Sequence, residues 1–272
     1  MSNDAEMPAM TIARDPLWGT PPEFVEARRD EVHVWRVSLD VAPSCLQSLS
    51  LILSADERDR AERFRFQRDR QHFIASRAFL RILIGRYLQR ESSQVKFGYG
   101  PNGKPFLADN EEALLRFNLS HSGGIALYAI TRGREIGIDV EYIGKDVDAE
   151  VIAGRFFSPQ EVAALKSLPK QQRQRAFFTC WTRKEAYLKG RGDGLSVALD
   201  SFSVSLSPDE PAALLDVQGV PEEASQWSLV ELNPGPSHVA ALAVADHDWL
   251  LRGWQLADHM LDLNRANQHL SC

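Results

Sequence analysis

Cysteine is scarce in this chain. Cys45, Cys180 and Cys272 are the only ones in 272 residues, odd in number and far apart. That excludes a disulfide framework and a cysteine-rich zinc site, and it fits a reducing, cytoplasmic compartment. Long apolar runs are also missing. HVAALAVA at 238–245 is among the longer ones, well short of the roughly 20 residues that cross a bilayer, so no membrane span is expected. The first ten residues are acidic and carry no apolar run, so no signal peptide is read. Excess positive charge is absent: a formal net charge of -6 argues against a general nucleic-acid binder. What is present is ordinary globular material, 44% hydrophobic and 25% charged, enough for one large core or two modest ones.

The pattern divides the chain. Residues 1–30, rich in Pro and acidic groups, form a lead-in segment, and EVHVWRVSL at 31–39 alternates as a strand. Ser54-Ala-Asp-Glu57 is a capping box opening a basic helix to about Phe64, and a second helix covers about 68–88. Strand-like FNLS (117–120), IALYAIT (125–131) and IGIDVEYI (136–143) follow. The order then recurs: a capping box at Ser158-Pro-Gln-Glu161, a helix at about 172–189, then SFSVSL (201–206), WSLVEL (227–232) and HVAALAVAD (238–246). Helix-helix-strand-strand used twice suggests duplication into two similar α/β subdomains, 31–146 and 147–254, although chance similarity of amphipathic elements would look the same. The stretch 255–272 reads as a polar helical tail.

Three places carry chemistry. In Ile136-Gly-Ile-Asp-Val-Glu141 the strand period sends Ile136, Ile138 and Val140 one way, and Asp139 and Glu141 the other, beside a Gly137 that leaves room for a ligand. Adjacent carboxylates repel unless a cation lies between them, but a solvated strand face has the same pattern. In FFTCWTRKEAYLK (177–189) the apolar stripe Phe177, Phe178, Trp181, Leu188 includes position 185, which is glutamate. Glu185 is then either a metal ligand or general base, with Lys189 facing an anion, or half of an i,i+4 pair with Lys189. Phe117-Asn-Leu-Ser120-His121-Ser122-Gly-Gly124 offers hydroxyls, an imidazole and backbone N–H groups to a phosphate, or is simply a polar turn. Ser120 and His121 point apart on an extended chain and do not form a nucleophile–base pair.

Two matches fail on context. Gly98-Tyr-Gly100-Pro-Asn-Gly103 fits the dinucleotide fingerprint only as letters, since Pro101 and Pro105 prevent the helix it must open; it is a turn-rich loop presenting Lys104. Arg191-Gly-Asp193 is a chance tripeptide. Six arginines lie between 58 and 70, but the acidic residues among them favour a solvated face.

Gly103-Lys-Pro105, Phe117–Ser122, Gly137–Glu141, Arg155–Ser158, Trp181–Lys189, Gly194-Leu-Ser196 and Leu199–Phe202, in that order over roughly 50–245, resemble the Sfp-type 4'-phosphopantetheinyl transferase family. The resemblance implies a pseudo-dimeric α+β fold with the active site between its halves. It also implies transfer of the phosphopantetheine arm of coenzyme A to a serine of an apo acyl or peptidyl carrier protein, with release of 3',5'-ADP. It places Mg²⁺ on Asp139, Glu141 and Glu185, a phosphate-contacting lysine at Lys189, and the family's Ser-His motif at Ser120 and His121. Coenzyme A contacts fall on Lys104, Pro105 and Arg60, but a second base often found three residues before Arg60 is here Glu57, leaving Arg58 or Arg77 as alternatives. Glu185 would take the serine proton while Lys189 and His121 stabilise charge on the bridging and leaving oxygens. A monomer is expected from the internal duplication. Rival readings are a metal-dependent phosphodiesterase, which would want more ligands for a second metal, and a carrier-binding module without catalysis.

Overall fold

The computed structural model describes residues 17–108, 114–144, 147–192, 194, 197–208 and 210–256. Asp193, Leu195, Ser196, most of the lead-in and the tail from 257 lie outside the described residues.

After strand β1 (Glu31–Ser38) the same series of elements occurs twice. The first copy is α1 (Pro43–Ile52), α2 (Ala55–Glu62), α3 (Gln67–Leu88), a hairpin β2 (Phe97–Tyr99) and β3 (Pro105–Leu107), then β4 (Leu115–Ser122), β5 (Ile125–Arg132) and β6 (Ile136–Tyr142). The second is α4 (Ala149–Phe156), α5 (Pro159–Ser167), α6 (Lys170–Arg191), a hairpin β7 (Phe202–Val204) and β8 (Leu214–Val217), then β9 (Trp227–Leu232), β10 (His238–Ala245) and β11 (Leu250–Leu256). The fold is α+β, built from two similar halves. Both capping boxes form where the Ser-x-x-Glu spacing puts them, at Ser54 and Ser158. The long helices α3 and α6 each run 22 residues and stop at left-handed C-caps, Gln89 (φ 51°) and Gly192 (φ 81°).

The halves exchange strands. One sheet has the order β11-β1-β5-β4 and the other β6-β10-β9, so the last strand of each copy joins the other copy's sheet. β6 lies antiparallel to β10, whereas β11 runs parallel to β1. Gln255 and Leu256, read from sequence as the start of a helical tail, are instead the end of β11.

Three apolar clusters follow from the strand period. Trp35, Val37, Tyr128 and Ile130 pack with α3 residues such as Phe79 and Leu83, and Phe177, Phe178 and Leu188 of α6 pack with Val239, Ala241 and Ala243. The third cluster joins the sheets: Val32, Val34 and Leu127 meet Ile138, Val140 and Leu242. Each such side chain contributes about 1.5–3 kcal/mol on burial, so the seam between the halves is itself core. No helix among the described residues is long and apolar enough to cross a membrane.

Candidate active site

The site grows from the edge where β4 meets β6. These strands belong to different sheets, and side chains join them. LRFNLSHS alternates: Leu115 and Phe117 enter the core, while Arg116, Asn118, Ser120 and Ser122 face β6. Asn118 Oδ1 accepts from Ile138 N at 2.9 Å, Ser120 Oγ donates to Asp139 Oδ1 at 2.8 Å, and Ser122 Oγ donates to Glu141 Oε2 at 3.0 Å. Ser122 also accepts from Tyr142 N at 3.1 Å, and Arg116 pairs with Glu135 at 3.2 Å. This seam aims Asp139 and Glu141 at the same side of β6, away from the core that holds Ile136, Ile138 and Val140.

Helix α6 forms the facing wall. Nearly all its second half is buried, but Trp181, Glu185 and Lys189, spaced one turn apart, stay half-exposed along one stripe. Glu185 and Lys189 look into the cleft, while Trp181 packs against Phe156, Phe157 and Phe177. Lys189 Nζ donates to Asp139 Oδ1 at 2.6 Å and to Ser120 Oγ at 3.1 Å, so the i,i+4 pair with Glu185 is not the contact it makes. Glu185 forms no hydrogen bond or ion pair with the described residues. Burial, then the nearby Asp139 charge, raises its pKa. Asp139 is also raised, mainly by burial, against the lowering pull of Lys189 and Ser120. His121 stands at the tip of β4, where desolvation by the cleft walls, then Lys189, lowers its pKa.

Gly137 does not leave room for a ligand, as its neighbours in sequence had suggested. A Cβ there would lie 2.0 Å from Ala186 O and 2.3 Å from Gly190 N: the space belongs to the backbone of α6. This contact is what brings Glu185 and Lys189 against β6. Lys184, next to Glu185, is wholly buried and serves the fold. Its ammonium pairs with Glu161 at 2.8 Å and donates to Leu199 O (2.7 Å) and Phe202 O (2.6 Å).

The outer predicted contacts are more dispersed. Lys104, on the β2–β3 hairpin, donates to Gly190 O at 2.9 Å and Ile136 O at 3.3 Å, and burial lowers its pKa. Beside it a cavity of about 570 Å³ is lined by Pro105, Arg116, Glu135 and Arg191. Arg60 lies exposed on α2 with its guanidinium over the Phe73 ring. Glu57 is buried and bonds Arg77 Nε at 3.2 Å and Arg81 Nε at 2.6 Å. Arg77 also donates to Tyr99 Oη, so the fold already engages it, and Arg58 donates to Leu53 O at 2.5 Å.

Sequence reasoning gave Asn118 no role of its own and read the Ser122 hydroxyl as a phosphate contact, whereas Ser122 bonds Glu141 and Asn118 bonds Ile138 N. The polar period at 116, 118, 120 and 122 was the available signal.

The donor chemistry fits a hard cation. Asp139 Oδ2 is buried with no hydrogen-bond partner, and the cleft around it offers only carboxylate and hydroxyl oxygens besides Lys189 and His121. No three His, Cys, Asp or Glu side chains among the described residues are already gathered as a metal cage.

The profile of the 4'-phosphopantetheinyl transferase superfamily matches residues 135–244, and that of the 4'-phosphopantetheinyl transferase N-terminal region matches 40–132. The 4'-phosphopantetheinyl transferase HetI of Nostoc sp. is 46% identical over 238 residues, 87% of this chain and 97% of the relative. The chain belongs to this family. The transferase is also similar to the 4'-phosphopantetheinyl transferase Sfp of Bacillus subtilis, 32% identical over 72% of this chain and 84% of the relative. The putative 4'-phosphopantetheinyl transferase slr0495 of Synechocystis sp. is 38% identical over 65% and 71%. The segments matched to this transferase take in both walls of the cleft, β4 in one and β6 with α6 in the other.

Proposed function

We propose that this 4'-phosphopantetheinyl transferase moves the phosphopantetheine arm of coenzyme A onto a serine hydroxyl of an apo acyl or peptidyl carrier protein, releasing 3',5'-ADP. The observation that carries this reading is the buried oxygen of Asp139 left without a partner, in a cleft where Lys189 bonds Asp139 and Glu185 lies within reach of the charges of Asp139, Lys189 and Glu141. Asp139, Glu141 and Glu185 would hold Mg²⁺. When bound, the ion would offset the charge of the pyrophosphate that otherwise repels an incoming oxygen.

The chain's own groups account for the rest. Ser120 and Asp139 hold Lys189 by two hydrogen bonds, so its ammonium meets the phosphates without losing further rotamer freedom. His121 at the mouth adds a second donor toward the leaving oxygen. Glu185, without a partner of its own and facing the same space, takes the proton from the carrier serine, directly or through a water. The cavity flanked by Lys104 and Pro105 accepts the nucleotide end, and Arg60 the 3'-phosphate. In this reading the enzyme works as a cytoplasmic monomer, since the duplicated halves already form the interface that holds the site.

Incubating the protein with coenzyme A, Mg²⁺ and an apo carrier, followed by intact-mass measurement, tests it. The carrier should gain one phosphopantetheine group, and only when Mg²⁺ is present. Unmodified acyl and peptidyl carriers alike would overturn the proposal.

A further inference from the structure

A second polar cavity, about 750 Å³, lies at the other end of the four-stranded sheet. β1 runs from it to the cleft: Glu31 and His33 line the cavity, while Val37 and Ser38 pair with Ala126 and Ile125 beside the Ser122 turn, roughly 20 Å away along the strand. Arg132 at the end of β5, Arg252 and Trp254 of β11, and Tyr87 at the end of α3 complete the walls. The segment holding Arg28 covers it, pinned where Arg86 donates to Pro22 O and Glu23 O at 3.0 Å.

The floor is an ordered polar chain where the strand pattern calls for core. Trp35 Nε1 can only donate, and it does so to Tyr87 Oη at 2.9 Å, so the Tyr87 proton goes to His33 Nδ1 at 2.7 Å. That leaves the proton of a neutral His33 on Nε2, donating to Glu31 Oε2 at 3.2 Å, and burial favours the neutral ring. Glu31 Oε1 in turn meets Arg252 Nε at 3.5 Å. Packing alone does not require such a chain, because apolar side chains of similar shape stabilise a core as well or better. Its effect is to fix Glu31 and Arg252 at the cavity wall.

The arginines point to what the cavity takes. The register puts Arg252 across from His33 on one side of β1 and Ile130 across from it on the other. Arg132, two residues beyond Ile130, shares that sheet face, so the two guanidinium groups flank Glu31. Arg132 Nε and Arg86 Nη1 are buried donors with no acceptor, a rare condition in folded proteins. No carboxylate among the described residues lies within ion-pair distance of Arg28 or Arg132. Glu26 and Glu31 also line the cavity, and Glu31 is engaged by Arg252, so Arg28 and Arg132 are the cations there without a counter-charge among the described residues.

We propose that this cavity is a second ligand site, separate from the catalytic cleft, which binds a small molecule through a phosphate or carboxylate group held between Arg28, Arg132 and Arg252. The half-buried Trp254 ring offers an apolar face to the rest of such a ligand.

Calorimetric titration of the full chain with inorganic phosphate and, separately, succinate tests this, the two arms telling phosphate from carboxylate selectivity. At least one anion should bind the wild-type chain. Arg132→Gln and Arg28→Gln should each weaken that binding at least about tenfold, the typical worth of a charge-assisted contact. Lys189→Ala, which alters the cleft, should leave it unchanged, and Arg28→Gln should retain transferase activity. If Arg132→Gln does not fold, Arg28→Gln decides alone, because its side chain is exposed. The proposal fails if neither anion binds, or if binding depends on Lys189 and not on Arg28.

Discussion

The two long helices are the clearest comparison within the molecule. Each has 22 residues and follows a capping-box helix whose third residue is a buried glutamate, Glu57 or Glu161. Each glutamate closes its own cap and also reaches across to a cation on the long helix: Arg77 and Arg81 on α3, Lys184 on α6. This buried strut is therefore common to both copies. The proposed chemistry is not, because Glu185 and Lys189 exist on α6 alone, and it is α6 that Gly137 admits against β6. Lys184 and Glu185 are neighbours in sequence but about 100° apart on the helix, which lets one serve the core and the other the cleft. The two halves share this scaffold, while only α6 turns Glu185 and Lys189 toward β6.

The contrast predicts that neighbouring substitutions have opposite consequences. Lys184→Met should have the largest effect. It leaves Glu161 buried without its counter-charge and removes the tie to Leu199 O and Phe202 O, costing on the order of 3–5 kcal/mol in denaturant unfolding. A loss below about 1 kcal/mol would show that the strut is not structural. Glu185→Gln should instead leave unfolding within about 0.5 kcal/mol of wild type, while transfer falls at least about 100-fold. Undiminished turnover would remove Glu185 from the mechanism. Glu57→Gln should cost about 1–3 kcal/mol in unfolding, less than Lys184→Met, because Arg81 keeps Ser92 O and Val95 O and Arg77 keeps Tyr99. Its turnover should match wild type under conditions where it is folded; a selective loss of activity would mean the α3 strut reaches the coenzyme.

Much of the site was legible because its signals are local. Two-residue alternation put Asp139 and Glu141 on one face, and a helical stripe marked Glu185 as misplaced for a core. What stayed illegible depends on partners distant in sequence. Gly137 looked like space for a ligand because a lone glycine does not say what approaches it, and here it is the α6 backbone. Arg77 looked available for the coenzyme because nothing near it in sequence reveals that Glu57, twenty residues earlier, is already bonded to it.

The sequence by itself determined the repeated order of helices and strands, both capping boxes and the identity of the acidic and basic groups, since periodicity and caps act within a few residues. Only the tertiary structure decided that β6 and β11 trade sheets, that a line of serines and an asparagine stitches β4 to β6, and that β1 buries a histidine and a glutamate beneath a second cavity. Those choices rest on hydrogen bonds and packing between residues far apart in the chain, where burial makes an unmatched polar group costly and so selects the pairing.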